Sequence, residues 1–233
     1  MNSDITREIL ELRERKLTPK QIARKLEMKP SEVTAILKNS AVQIHKERAA
    51  SGELAPIANC TVNGACYEHF FGEGPQAKET EAIEGARGLS LVFVSRSDRF
   101  ERYTACTYLV DYWCLGVKDA IPPQALNGNQ HAEFLQICYS GYPEGFRDIT
   151  LEQARAIVFG AVDYAKELGL EPHPDFEKAK AHLGQWDGEP KLEFGRGGKP
   201  CFVSGSHDDS DKILKTLRCK VGQGKFDYIA SIG

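Results

Sequence analysis

The sequence has no run of about 18 apolar residues, the length a helix needs to cross the core of a bilayer, so no membrane partner is expected. The residues after Met1-Asn2-Ser3-Asp4 turn charged and amphipathic at once, without the apolar stretch that heads a secreted chain. A cytoplasmic location is the expectation. Net charge is scarce: 30 lysines and arginines stand against 33 acidic residues, a formal −3 over 233 residues. No whole-molecule field strong enough to drive nucleic-acid or membrane binding follows from that balance. The seven cysteines (Cys60, Cys66, Cys106, Cys114, Cys138, Cys201 and Cys219) are odd in number and scattered, which excludes a disulfide framework and reads as small buried hydrophobes. Internal repeats and low-complexity tracts are also absent. What remains is an ordinary globular composition, 41% hydrophobic and 27% charged.

The charge is unevenly placed. Residues 1–50 hold eleven lysines and arginines against seven acidic residues, and the acidic excess falls in the rest. The stretch Ala49-Ala50-Ser51-Gly52-Glu53-Leu54-Ala55-Pro56 has small, Gly and Pro residues and no periodicity. It divides a helical domain (1–48) from a larger domain (57–233), with 49–56 as linker.

Within the first domain, Pro19 to Lys38 resembles a helix-turn-helix. Ile22, Leu26, Met28, Val33 and Ile36 take the buried positions, and Ala23 the point where two helices approach most closely. Thr18 caps the first helix; Pro30 and Ser31 open the second. Glu27 stands where the motif usually has Gly in a left-handed conformation, at a cost of about 1 kcal/mol, so a longer or bent turn is expected. The resemblance implies that the second helix enters the major groove and offers Ser31, Thr34 and Lys38, with Glu32 and Ala35 beside them. Lys20, Arg24, Lys25 and Lys29, together with Lys16, address phosphates. Lys38 is the one basic residue among the reading positions, and no Arg, Asn or Gln stands there for bidentate base contacts. A three-helix bundle used for docking or dimerisation accounts for the same pattern.

The larger domain mixes strands and helices without a βαβ repeat, which gives an α+β fold with antiparallel hairpins. Strands are expected over Ile57–Val62, Leu89–Ser95 and Tyr103–Leu115, the last two joined by a turn at Ser97–Phe100. Residues 63–87 are poorly patterned. Ile121-Pro122-Pro123 is expected to end regular structure, and a short helix to follow around His131–Tyr139. Thr150–Leu168 is the strongest helix: Thr150 and Gln153 form a capping box, and Ala154, Ile157, Val158, Ala161, Ala165 and Leu168 recur at three and four. Asp175 is read as the cap of a helix reaching Leu183, and Asp209 or Ser210 as the cap of another. Lys191–Phe194 and Pro200–Ser204 read as a hairpin around Gly195–Gly198, with Phe226–Ile232 a closing strand.

Four groups of residues in this domain invite chemistry. Cys60, Cys66 and His69 could surround a metal, but zinc sites prefer two to four residues between paired cysteines and here there are five. With no fourth ligand apparent, no metal is assigned. Asp111 sits inside an apolar strand, where an uncompensated carboxylate is costly to bury, and with Lys118 and Asp119 could form an acid–base cluster. Alternatively Lys118 pairs with one aspartate while the other caps a turn. His173, held rigid between Pro172 and Pro174, suits proton transfer, or simply a turn between helices. Arg196 and Lys199, in the glycine-rich Gly195–Lys199 loop, could hold an anion, although the loop does not precede a helix and is no P-loop.

Leu109–Ala120 (LVDYWCLGVKDA), Ile157–Ala165 (IVFGAVDYA), Glu171–Phe176 (EPHPDF) and Phe194–Pro200 (FGRGGKP) resemble a bacterial family of uncharacterised proteins over roughly residues 57–230. The resemblance implies a unit of its own with an appended helix-turn-helix, and it carries no site residues. The leading expectation is a DNA-associated regulator that acts as a homodimer on double-stranded DNA, its larger domain sensing a ligand or mediating assembly. A hydrolase or phosphate-handling enzyme using Asp111, Asp119 and His173 is the competing one, and a protein-assembly module the third. No pattern specifies a cofactor.

Overall fold

The computed structural model describes residues 3–51, 53–72, 88–99 and 101–230. The chain divides into two compact units, with the boundary between Glu53 and Leu54. Residues 73–87, most of the poorly patterned stretch, lie outside the described residues, as do Phe100 and the last residues of the expected closing strand.

The first unit is three helices: α1 (Ser3–Glu14), α2 (Pro19–Lys25) and α3 (Pro30–Ser51). Helix α3 runs past residue 48 and through three residues of the stretch read as linker. Thr18 starts α2 with a capping box, its hydroxyl accepting from Gln21 N–H while Gln21 reaches back to the Thr18 N–H. Ile9, Leu12, Ile22, Ala23, Val33 and Ile36 make the core, and Leu26 and Met28 pack against it. The turn between α2 and α3 corrects one expectation. Glu27 itself takes the left-handed conformation at φ 54°, and the Met28 N–H closes back on Ala23 C=O at 2.9 Å. That is the geometry of a helix C-terminus with a left-handed residue and an apolar one behind it. The turn is therefore neither lengthened nor bent; Glu27 bears the strain.

The second unit is an α+β fold. Its sheet has strands β1 (Ile57–Asn63), β2 (Leu89–Arg99), β3 (Arg102–Asp111), β4 (Gly116–Asn127) and β5 (Phe146–Asp148) in the order β4-β3-β2-β1-β5, every neighbour antiparallel. The long run in β2 has a simple cause: both faces are covered. Val92 and Val94 share one face with Cys106, Tyr108 and Val110 of β3, under helix α6 (Leu151–Glu167), which brings Ala154, Ile157, Val158 and Ala161. Phe93 and Ala105 point the other way, onto Phe134 and Tyr139 of helix α5 (Gly128–Tyr139). Helix α4 (Gly64–Phe71) follows β1 directly. Thr150 and Gln153 form the expected capping box at the start of α6.

Several local expectations are overturned, each for a physical reason. The turn of the β2–β3 hairpin lies beyond Arg99, because Arg99 and Arg102 still pair and Glu101 supplies the positive φ of 55°. Strand β3 stops at Asp111, whose carboxylate accepts the Trp113 and Cys114 N–H groups at 3.0 and 2.9 Å and so turns the chain. Gly116 resumes the sheet at φ 69°, where a Cβ would fall 2.9 Å from the Ala161 carbonyl oxygen. Pro122 and Pro123 do not end the strand, because β4 is an edge and the ladder shifts register between Ala105 and Thr107 opposite them. Asp175 makes no capping bond to helix α7 (Phe176–Ala179), a single turn continued by a 3-10 turn at Lys180–His182. Strand β6 (Cys201–Val203) pairs in parallel with β7 (Asp227–Ile229), not with residues 191–194. Between them helix α8 (Ser210–Lys220) starts at its cap Asp209 and seats Leu214 and Leu217 with Phe202, Cys114 and Leu168 in a further apolar cluster.

Candidate functional site

Each unit has a concave surface among its described residues. In the three-helix unit Thr18, Pro19 and Lys20 of the α2 start face Pro30, Ser31, Thr34 and Lys38 of α3 across a groove of about 660 Å³. The pieces are set by local chemistry. Glu32 folds back to accept the Lys29 N–H at 3.0 Å, which holds its carboxylate at the head of α3. Thr34 donates its hydroxyl proton to Pro30 C=O at 2.8 Å and keeps oxygen lone pairs for an outside donor. Lys20, Arg24, Lys25, Lys29 and Lys38 are exposed, and among the described residues none of them forms an ion pair.

In the larger unit a cleft of about 490 Å³ lies between the start of β4, the 169–174 turn and the head of α8. Its polar lining is Lys118, Glu171, His173, His207, Asp208, Asp209, Lys212 and Thr216, and its apolar lining includes Leu115, Val117, Leu170 and Ile213. Lys118 reaches Asp208 at 2.7 Å, with the two side chains only 18% and 11% exposed. The Gly205 N–H also donates to that carboxylate, at 2.8 Å. His173 is fixed at both ends, its backbone N–H on Val117 C=O at 2.9 Å and its Nδ1 accepting the Asp175 N–H at 3.3 Å. A backbone N–H can only donate, so the neutral ring carries its proton on Nε2.

The structure divides the three acid–base residues read from the sequence. Asp119 Oδ1 lies 3.6 Å from His173 Nδ1, while its own side chain is 59% exposed. Asp111 is 2% exposed and serves the turn after β3. Burial pushes its carboxyl up to about 7, against the opposing pull of the Lys118 charge and the backbone N–H donors. Lys118 is paired with Asp208, ninety residues away in sequence, and not with either of the nearer aspartates.

In the Gly195–Lys199 loop both cations have internal contacts. The Arg196 guanidinium lies over the Trp113 ring at 5.4 Å, and Lys199 pairs with Asp227. Both cations are engaged, and Arg196 and Lys199 close a tight turn on each other's backbone. Cys60 contacts Thr150 C=O, Cys66 is fully buried, and burial pushes both thiols up to about 12. The His69 ring packs on Phe70 and Tyr112 at 4.6 and 4.8 Å. Among the described residues no group of three or more His, Cys, Asp or Glu could hold a metal ion.

Sequence reasoning missed two arrangements. His131 Nε2 lies 2.9 Å from Ser95 Oγ, but Ser95 is fully buried and also takes the Asn59 N–H, so the pair ties α5 to the sheet. Arg96, 6% exposed, donates to the carbonyls of His182 and Ala55 at 2.9 and 2.7 Å. Burial first, then the neighbouring Arg155 charge, lowers its pKa.

No helix among the described residues is long and apolar enough to cross a membrane. Comparison with known proteins finds no matching family model, no matching curated protein and no matching solved structure.

Proposed function

We propose that the three-helix unit is a helix-turn-helix that docks on duplex DNA, making this chain a DNA-associated regulator. The observation that carries the proposal is the common groove of Lys20, Ser31, Thr34 and Lys38, lined from both α2 and α3. Uncommitted cations beside it support the same reading, because phosphate contacts supply most of the affinity of such a unit. In this reading Lys20, Arg24, Lys25 and Lys29 neutralise phosphates, and Ser31, Thr34 and Lys38 address base edges. Two copies on symmetric half-sites are the corresponding assembly.

The test is fluorescence anisotropy of the full chain with random-sequence duplex at two salt concentrations. Binding should weaken steeply with salt, with a slope near −0.9 per phosphate neutralised, so four contacts per copy give a slope of about −3.6. Replacing Lys20, Arg24 and Lys25 together by Glu should abolish it. Unchanged affinity in that variant would end the proposal and leave the unit as a docking or dimer element.

A further inference from the structure

The groove of the three-helix unit has a definite chemistry toward base edges. From α3 its lining takes Pro30, Ser31, Thr34, Ala35 and Lys38, while Glu32, bonded to the Lys29 N–H, is not part of it. Lys38 is the cation that α3 brings, exposed and without an ion pair among the described residues. The Thr34 hydroxyl proton is committed to Pro30 C=O at 2.8 Å, so its oxygen meets an outside group as an acceptor. Ala35 adds an exposed methyl group, one helical turn before Lys38 on the same face. Among the described residues the lining holds no Arg, Asn or Gln, the side chains that pair most closely with guanine or adenine. One strong donor, one acceptor and one methyl group therefore make up what α3 offers there beside the Ser31 hydroxyl.

Each of these groups matches a distinct feature of the major groove. Guanine sets two acceptors, N7 and O6, side by side, within reach of one ammonium; thymine alone carries a methyl group; cytosine N4 and adenine N6 are amino donors. Resting on the DNA-docking reading, we propose that the half-site this unit selects contains a guanine bonded by Lys38 and a thymine whose methyl packs on Ala35. Thr34 accepts from an exocyclic amino group of a neighbouring base. Ala35 and Lys38 are about 4.5 Å apart along the helix axis, against about 3.4 Å between successive base pairs, so the guanine and thymine lie within one or two pairs of each other. Lys38 and Ala35 then determine specificity, whereas Lys20, Arg24, Lys25 and Lys29 hold phosphates of any sequence.

The experiment selects the preferred sequence of the full chain from a pool of randomised duplexes. The selected duplex is then titrated at fixed salt against copies carrying base analogues. Exchanging the guanine for 7-deazaguanine removes the N7 acceptor and should weaken binding about tenfold. Exchanging the thymine for deoxyuridine removes only the methyl group and should weaken it about threefold. Lys38→Met should abolish the first penalty and keep the second, and Ala35→Ser the reverse. Both residues are exposed, and the analogues tested on the natural protein keep the experiment decisive should a variant not fold. Duplex binding without a selected sequence, indifference of the natural protein to either analogue, or penalties that persist in the folded variants would each overturn this inference and leave DNA docking standing. No binding to any duplex would end both.

Discussion

The two units treat the cations that the sequence singles out in opposite ways. In the three-helix unit the exposed lysines and arginines of α2, the turn and the head of α3 form no ion pairs among the described residues. In the larger unit Lys118, Lys178, Lys180 and Lys199 each hold a carboxylate, on Asp208, Asp175, Glu177 and Asp227. A cation near a glycine-rich loop looks the same in sequence whether its partner is internal or external. Only the fold tells a charge already neutralised from one still available, and by that measure Lys20, Arg24, Lys25, Lys29 and Lys38 stay available to phosphate where Lys118 and Lys199 do not.

The largest expected effect breaks the comparison at the level of stability. Ile22→Ala and Ile157→Ala each delete a fully buried side chain, at a cost of about 2–5 kcal/mol. A six-residue core in about fifty residues has little more than that to lose, so Ile22→Ala should unfold the small unit at 25 °C. Ile157→Ala should only lower the melting temperature of the larger one. Far-UV circular dichroism with amide spectra separates the outcomes, and survival of the small unit in Ile22→Ala would contradict the estimate.

Next in size is the pH response of the larger unit. Asp111 has a folded pKa of about 7 against an unfolded value near 4, so its proton is retained on folding. The group's contribution is fully favourable below about pH 4 and is lost as pH rises through about 7. Asp111→Asn keeps the Oδ1 that accepts from Trp113 and Cys114 and removes the titration. The variant should gain on the order of 4 kcal/mol over the natural protein at pH 8 and little at pH 4, in urea melts at both. Equal stability differences at the two pH values would rule this out.

Smaller still, Glu27→Gly should stabilise the small unit by about 1 kcal/mol, since glycine takes φ 54° without the steric cost. A loss of stability would show that the Glu27 side chain does more than tolerate the turn. Smallest is Lys199→Met, which removes a surface pair worth under about 1 kcal/mol. Inorganic phosphate should give no saturable amide shifts at residues 195–199 of the natural protein; saturable shifts there that Lys199→Met weakens would make the loop an anion site.

The elements legible in sequence are those whose signals are local. Thr150 and Gln153 with the three-and-four spacing of Ala154, Ile157, Val158 and Ala161 specify α6 without help from elsewhere, and Asp209 does the same for α8. Ile22, Ala23 and Val33 likewise announce the core of the small unit. The missed features depend on partners distant in the chain. Cys201–Val203 finds its parallel neighbour at Asp227–Ile229, and Lys118 finds Asp208, pairings that no local pattern encodes. Asp111 was conspicuous for the right reason, a carboxylate among apolar residues, yet its purpose is to stop the strand there. Of the residues read as chemical, His173 and Asp119 lie together and Lys118 lines the same cleft as His173, while His207, Asp208, Lys212 and Thr216 join them from around the cap of α8.

The sheet also limits how copies of this unit can join. An open sheet edge with free N–H and C=O groups templates a strand from another molecule, the first step toward fibres. Here one edge carries Pro122 and Pro123, which lack the N–H a docking strand would need, and a register break beside them. The other edge, β5, is three residues long. Neither border invites continuation, so β1, β2 and β3 are kept in the interior of the sheet and away from intermolecular pairing.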